Sequence, residues 1–115
     1  MEITLKINGE DKTFVQSFVP FVMKRKALEL EKYTTQKNAD PIKYFDMQAA
    51  YVVELFGNQF TKEEFENGLD ATKAQDVLYE IVGVGVIGYP SKEEQEKRLG
   101  EILANQKEAQ ETKQK

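Results

Sequence analysis

The sequence predicts an α+β fold: an N-terminal β-hairpin followed by about four α-helices in a mostly helical single domain. Three observations carry that expectation. Residues 2–7 alternate apolar and polar and run into Asn8-Gly9; from Phe18 the apolar period becomes helical; and helix-start signals recur at Asp40, Thr61 and Ser91. At 115 residues the chain has the size of one domain with one core.

The first strand places Ile3, Leu5 and Ile7 on one face and Thr4 and Lys6 on the other. Asn8-Gly9 supplies the positive-φ residues that a tight hairpin turn requires. Residues 12–17 return as the second strand, and with a two- or four-residue loop Phe14 shares a face with Leu5. A two-stranded hairpin is marginal alone, so helices are expected to cover that face. From Phe18 on, Phe18, Phe21, Val22, Leu28 and Tyr33 share one side of a helix. The run Lys24-Arg25-Lys26 points in several directions, as a solvated surface does. Residues 34–39 are polar and read as a loop.

Asp40-Pro41 combines an N-cap acceptor with a proline where no N–H is needed, and the helix it opens ends at Gly57-Asn58. This helix has two apolar stripes. Ile42, Phe45, Ala49, Val52, Val53 and Phe56 form one, and Tyr44, Met47, Tyr51 and Leu55 form the other. A helix on a domain surface needs only one, so this is the expected central helix. The second stripe has two readings. It packs beneath neighbouring helices, or it forms a surface for a partner or for another copy, where Tyr and Met are common. Because the C-terminal segment is too polar to cover it, Tyr44, Met47, Tyr51 and Leu55 are the candidate contact surface.

Phe60-Thr61-Lys62-Glu63-Glu64-Phe65 has capping-box spacing at Thr61 and Glu64, with Phe60 and Phe65 at the staple positions. Asp70 caps the next helix, which carries Ala74, Val77, Leu78, Ile81 and Val82 on one face. Ser91, with Glu94 three residues later, opens a last helix whose large apolar residues are Leu99, Ile102 and Leu103. The expected organisation is one globular domain over 1–103: hairpin 2–17, helical body 18–90 and C-terminal helix 91–103. Residues 104–115 carry no apolar side chain larger than alanine and are expected to form a polar, disordered tail.

Composition narrows the function. The chain has no cysteine and no histidine, which removes thiolate sites, the commonest general base and the commonest zinc ligand. A net charge of −4 argues against nucleic acid and anionic membranes as partners. So does the acidic stretch holding Glu63, Glu64, Glu66, Asp70, Asp76 and Glu80 against Lys62 and Lys73. With no signal-peptide pattern and no apolar run long enough to span a bilayer, a cytoplasmic location is expected.

Gly83-Val84-Gly85-Val86-Ile87-Gly88 matches the G-x-G-x-x-G pattern, but a dinucleotide site needs a strand before it and a helix opening on it. Here a helical pattern precedes the glycines and Pro90 follows, so the run reads as a loosened helix end or a short buried strand. The carboxylates from Asp70 to Glu80 lack the central glycine of a calcium loop. Ser17 and Ser91 have no histidine to activate them. No catalytic, cofactor-binding or metal-binding residue is therefore expected.

Residues 53–71 read Val53-Glu54-Leu55-Phe56-Gly57-Asn58-Gln59-Phe60-Thr61, then six residues, then Gly68-Leu69-Asp70-Ala71. An apolar helix running into Phe-Gly-x-x-Phe-Thr, a short helix and a Gly-hydrophobic-Asp-Ala turn resembles the tail assembly chaperones of long-tailed phages and prophages of Gram-positive bacteria. The resemblance covers residues 1–90. It implies a non-enzymatic protein of the bacterial host cytoplasm, absent from the finished virion. Such a protein binds the tape-measure protein, keeps it soluble and helps tail-tube subunits polymerise around it. Many such proteins are also made in a longer form by a ribosomal frameshift near the end of the reading frame, and a polar stretch such as 104–115 suits that junction. Several copies along one client, and hence self-association, belong to the same expectation. The rival reading is a small acidic regulator or antitoxin-like protein that binds a basic partner by charge; steep loss of affinity in salt would distinguish it.

Overall fold

The computed structural model describes residues 1–113, with side-chain surroundings through Asn105. Strands β1 (Glu2–Ile7) and β2 (Glu10–Val15) pair antiparallel, with Ile3 opposite Phe14 and Leu5 opposite Lys12. The turn is as tight as Asn8-Gly9 allows: φ is +53° at Asn8 and +79° at Gly9, the left-handed pair a two-residue hairpin needs. Ile3 and Leu5 are buried beneath the helices, while Thr4 and Thr13 join hydroxyls at 2.8 Å on the opposite face.

Helix α1 (Val22–Thr34) follows a short extended link, and α2 (Pro41–Leu55) packs against it. Asp40 caps α2 by accepting from Ile42 N–H. Helix α3 (Lys62–Gly68) crosses β1 at its C-terminal end. The crossing is close because position 68 is glycine. A Cβ there would sit 2.8 Å from the Lys6 carbonyl oxygen and 3.0 Å from Leu5 Cβ. Helix α4 (Ala74–Leu78) continues without a break into a π-helical segment, Tyr79–Ile87, and α5 (Lys92–Lys113) closes the chain.

The glycine run thus lies in a widened helical end. Gly88, at φ +97°, stops it, and Gly88 and Tyr89 both donate backbone N–H to the Gly83 carbonyl. Gly83 packs closely: an added Cβ would lie 3.0 Å from the Tyr79 ring, which would have to shift to admit it. A helix, α4, precedes the run, so the strand-turn-helix setting of a dinucleotide fingerprint does not form around it.

Four aromatic rings hold the hairpin to the helices. Phe60 sits 4.9 Å from the Phe14 ring, 5.7 Å from Phe56 and 6.3 Å from Phe65, centroid to centroid. Phe60 is fixed at the mouth of α3 by a reciprocal cap: Thr61 Oγ1 accepts from Glu64 N–H, and the Glu64 carboxylate accepts from Thr61 N–H. Two glutamines complete the join, Gln16 donating to the Leu55 carbonyl and Gln59 to those of Val15 and Phe56.

Two helices bury different faces from those the sequence suggests. On α1 the buried side chains are Met23, Ala27 and Leu30, while Val22 and Leu28, and Phe18 and Phe21 just before the helix, are exposed. The small Ala27 allows α2 to approach closely, and Tyr51 of α2 donates its hydroxyl to the Met23 carbonyl, fixing which side turns inward. On α2 the split runs along the axis as well as around it. Ala49, Tyr51, Val52 and Leu55 in the C-terminal half are buried while Ala50 and Glu54 stay exposed on one side, and Ile42 and Phe45 in the N-terminal half are exposed.

Helix α5 runs unbroken past position 103 to Lys113, so the boundary expected there is not marked by a change of backbone. The last two positions of the polar tail lie outside the described residues. From Lys92 to Asn105 every α5 residue is exposed, including Leu99, Ile102 and Leu103. Among the described residues the helix is tethered at its start, where Lys92 pairs with Asp76 and Gln95 donates to the Tyr79 hydroxyl.

Candidate client-binding groove

Tyr44, Met47, Tyr51 and Leu55, the stripe that the sequence offers as a contact surface, divide in the structure. Tyr51 is 6% exposed and Leu55 1%, so both belong to the core, and a partner reaches neither without opening the fold. The C-terminal half of α2 is enclosed by α1, α3 and the hairpin, which is why its second stripe faces protein rather than solvent. Met47 is half-buried against that core. Tyr44 alone of the four lines an open groove. Phe60, Thr61, Glu64 and Phe65 lie together at the start of α3, where they brace the hairpin.

The groove runs between α1, α2 and the α4–π segment, and holds about 530 Å³. Leu30 of α1 and Leu78, Val82 and Ile87 of the α4–π segment supply its apolar lining. Tyr44 and Phe45 of α2 stand on one side, and Tyr79 and Tyr89 on the other. Phe45 is 63% exposed, and Ile42, one turn earlier on α2, extends the apolar surface outward.

Polar groups fix the walls rather than filling the space. Tyr89 donates its hydroxyl to Glu31 at 2.7 Å, tying the chain after the π segment to α1. That hydrogen bond, helped by partial desolvation and the Glu31 charge, raises the Tyr89 pKa. Tyr44 is raised first by burial and then by the same carboxylate. Both phenols therefore stay neutral in the physiological range, as hydrogen-bonding rims of an apolar slot. Tyr79 donates to the Pro90 carbonyl and orients the link into α5.

An open, mostly apolar groove rimmed by tyrosines suits the apolar side chains of a protein segment. Among the described residues no group of three or more Asp or Glu side chains is placed to hold a metal ion, and no helix is long and apolar enough to cross a membrane.

A family model described as "Phage tail chaperone protein" matches residues 1–103. The chain belongs to that phage tail chaperone family. The match covers the hairpin, α1 to α4, the π segment and the first half of α5, so it includes every wall of the groove. No curated protein and no solved structure gives a significant match.

Phe45, which lines the groove, and Ile42, exposed one turn before it, are the residues that sequence periodicity misassigns, since both fall on the stripe that looks most like core. Length holds the missed signal. Helix α2 has 15 residues and α3 has 7. At 1.5 Å per residue these are about 22 Å and about 10 Å, so α3 is too short to cover all of α2.

Proposed function

We propose that this tail chaperone is non-enzymatic, binds the tape-measure protein while the phage tail is built, and thereby promotes assembly of the tail tube. The observation that carries the reading is the apolar groove with Phe45 at its rim, in a chain of this family. A tape-measure protein is a long helical chain whose apolar stripes must be shielded until the tube encloses it. An open groove that accepts apolar side chains along one face meets that need.

Co-expression with the cognate tape-measure protein tests the proposal. The wild-type chain should keep the client in the soluble fraction and co-purify with it. Phe45→Glu should remain folded, because the side chain is already in solvent, yet lose both effects. A client equally soluble with and without the chaperone would refute the reading. A client held equally well by Phe45→Glu would remove the groove as its site.

A further inference from the structure

The outer face of α1 is a second surface, separate from the groove, and it carries the opposite charge to the chain as a whole. Phe21 is 85% exposed and Leu28 46%. Seven residues apart, they lie two turns along one side of the helix, and together line a shallow apolar pocket of about 390 Å³ with Lys24, Arg25, Glu29 and Lys32. Three cations against one anion give this face +2, whereas the whole chain is −4. Among the described residues neither Lys24, Arg25 nor Lys32 has a carboxylate within 4.0 Å, although Lys26, turned toward the body, pairs with Glu54 at 2.5 Å. The basic run therefore divides: Lys26 braces α1 against α2, and Lys24 and Arg25 flank the apolar slot.

We propose that this face docks an acidic amphipathic helix of a partner protein, its apolar side chains seated between Phe21 and Leu28 and its carboxylates meeting Lys24, Arg25 and Lys32. Charge complementarity selects the occupant. A second copy fits less well, because its acidic elements, α3 and α4, expose no large apolar side chain. Its exposed apolar helix α5 has Lys92, Lys97 and Arg98 mixed among Glu93, Glu94, Glu96 and Glu101. An anionic membrane fits less well too, since the rest of the molecule would face it with a charge of −6, which is −4 less the +2 of this face.

The test uses the full chain and two synthetic helical peptides with the same leucine stripe, flanked in one by glutamate and in the other by lysine. Amide shift mapping should place the glutamate peptide on residues 21–32, with affinity at least roughly tenfold above the lysine peptide and falling as salt rises. Arg25→Glu and Leu28→Ser, both at solvent-exposed positions and so expected to leave the circular dichroism spectrum intact, should each weaken it, and Phe45→Glu should not. Equal binding of the two peptides, or shifts confined to the groove, would overturn the proposal. So would a dimer of the free protein abolished by Arg25→Glu, which would make a second copy the occupant. Binding to phosphatidylserine vesicles as tight as to the glutamate peptide would also overturn it, in favour of a lipid surface.

Discussion

Replacing Phe60 by alanine tests how the hairpin is held to the helical body. The ring is 3% exposed and contacts aromatic partners from β2, the end of α2 and α3. Truncating a buried phenylalanine costs about 3–5 kcal/mol, through lost transfer free energy and the cavity left behind. Phe60→Ala belongs at the upper end, because Phe14, Phe56 and Phe65 each lose a neighbour and sit on separate elements that cannot all close the gap. For a domain of this size each kcal/mol lowers the melting midpoint by roughly 4 °C, so a fall of roughly 12–20 °C is expected. Urea titration followed by circular dichroism checks it, with an unchanged m-value as evidence that the denatured state is not the cause. Thr61→Ala is the internal standard: it removes one arm of the adjacent cap and should cost about 1 kcal/mol. A loss below about 1 kcal/mol for Phe60→Ala would refute the reasoning and mean that the aromatic cluster relaxes around the hole.

Leu55→Glu should abolish the cooperative unfolding transition seen by circular dichroism, since it forces a carboxylate into a site 1% exposed. Gly68→Ala should destabilise by about 1–3 kcal/mol in the same titration, because the new methyl meets the β1 backbone at Lys6 rather than a movable side chain. Burial, seconded by the charge of Glu54, raises the Tyr51 pKa from 10.0 to about 12. The folded state therefore keeps a proton that the unfolded chain releases, and this contribution is fully present below pH 10 and lost as pH rises from 10 toward 12. Chemical melts across that window should show a smaller slope for Tyr51→Phe. At neutral pH the same variant should be less stable by about 0.5–1.5 kcal/mol, the net worth of the hydrogen bond from Tyr51 to the Met23 carbonyl.

Local chemistry was the legible part of this fold. The Asn8-Gly9 turn, the Asp40-Pro41 start and the Thr61–Glu64 box each follow from two or three adjacent residues whose hydrogen bonds close within one turn, and the structure contains all three. The family resemblance was legible for the same reason, since its motif is built on the helix stop at Gly57 and the cap at Thr61. What periodicity could not supply was the facing of helices that are apolar on more than one side. Both faces of α1 carry large apolar residues, and the choice between them rests on Ala27 and on the Tyr51–Met23 hydrogen bond, across 28 positions of sequence. The stripe Tyr44, Met47, Tyr51 and Leu55 does not act as a unit because enclosure also changes along α2: Tyr51 and Leu55 are buried, Tyr44 and Met47 only partly so. The glycine run had two open readings, and the π-helical segment is close to the first: a helix end that widens before Gly88 stops it.

Facing also bears on how a chain with this much outward apolar surface is laid out. Among the described residues most of the exposed large apolar side chains stand in three places, on and just before α1, at the start of α2 and along α5, with Val15 and Tyr89 apart from them. Charged side chains are interleaved with the first two. Lys24, Arg25, Glu29 and Lys32 line the pocket formed by Phe21 and Leu28, and Lys43 and Asp46 neighbour Ile42 and Phe45 in sequence. Asp46 is held by Lys62 at 3.0 Å and Lys43 lies over the Tyr33 ring, so this charged border is partly fixed. Patches kept small and bordered in this way bind other proteins without driving collapse onto one another, as larger continuous ones would. Stability, meanwhile, resides in the Phe60 cluster and in the buried half of α2. Because the two sets of residues scarcely overlap, substitutions in the exposed patches can alter partner choice while leaving the fold intact, and that separation is what makes Phe45→Glu and Arg25→Glu informative variants.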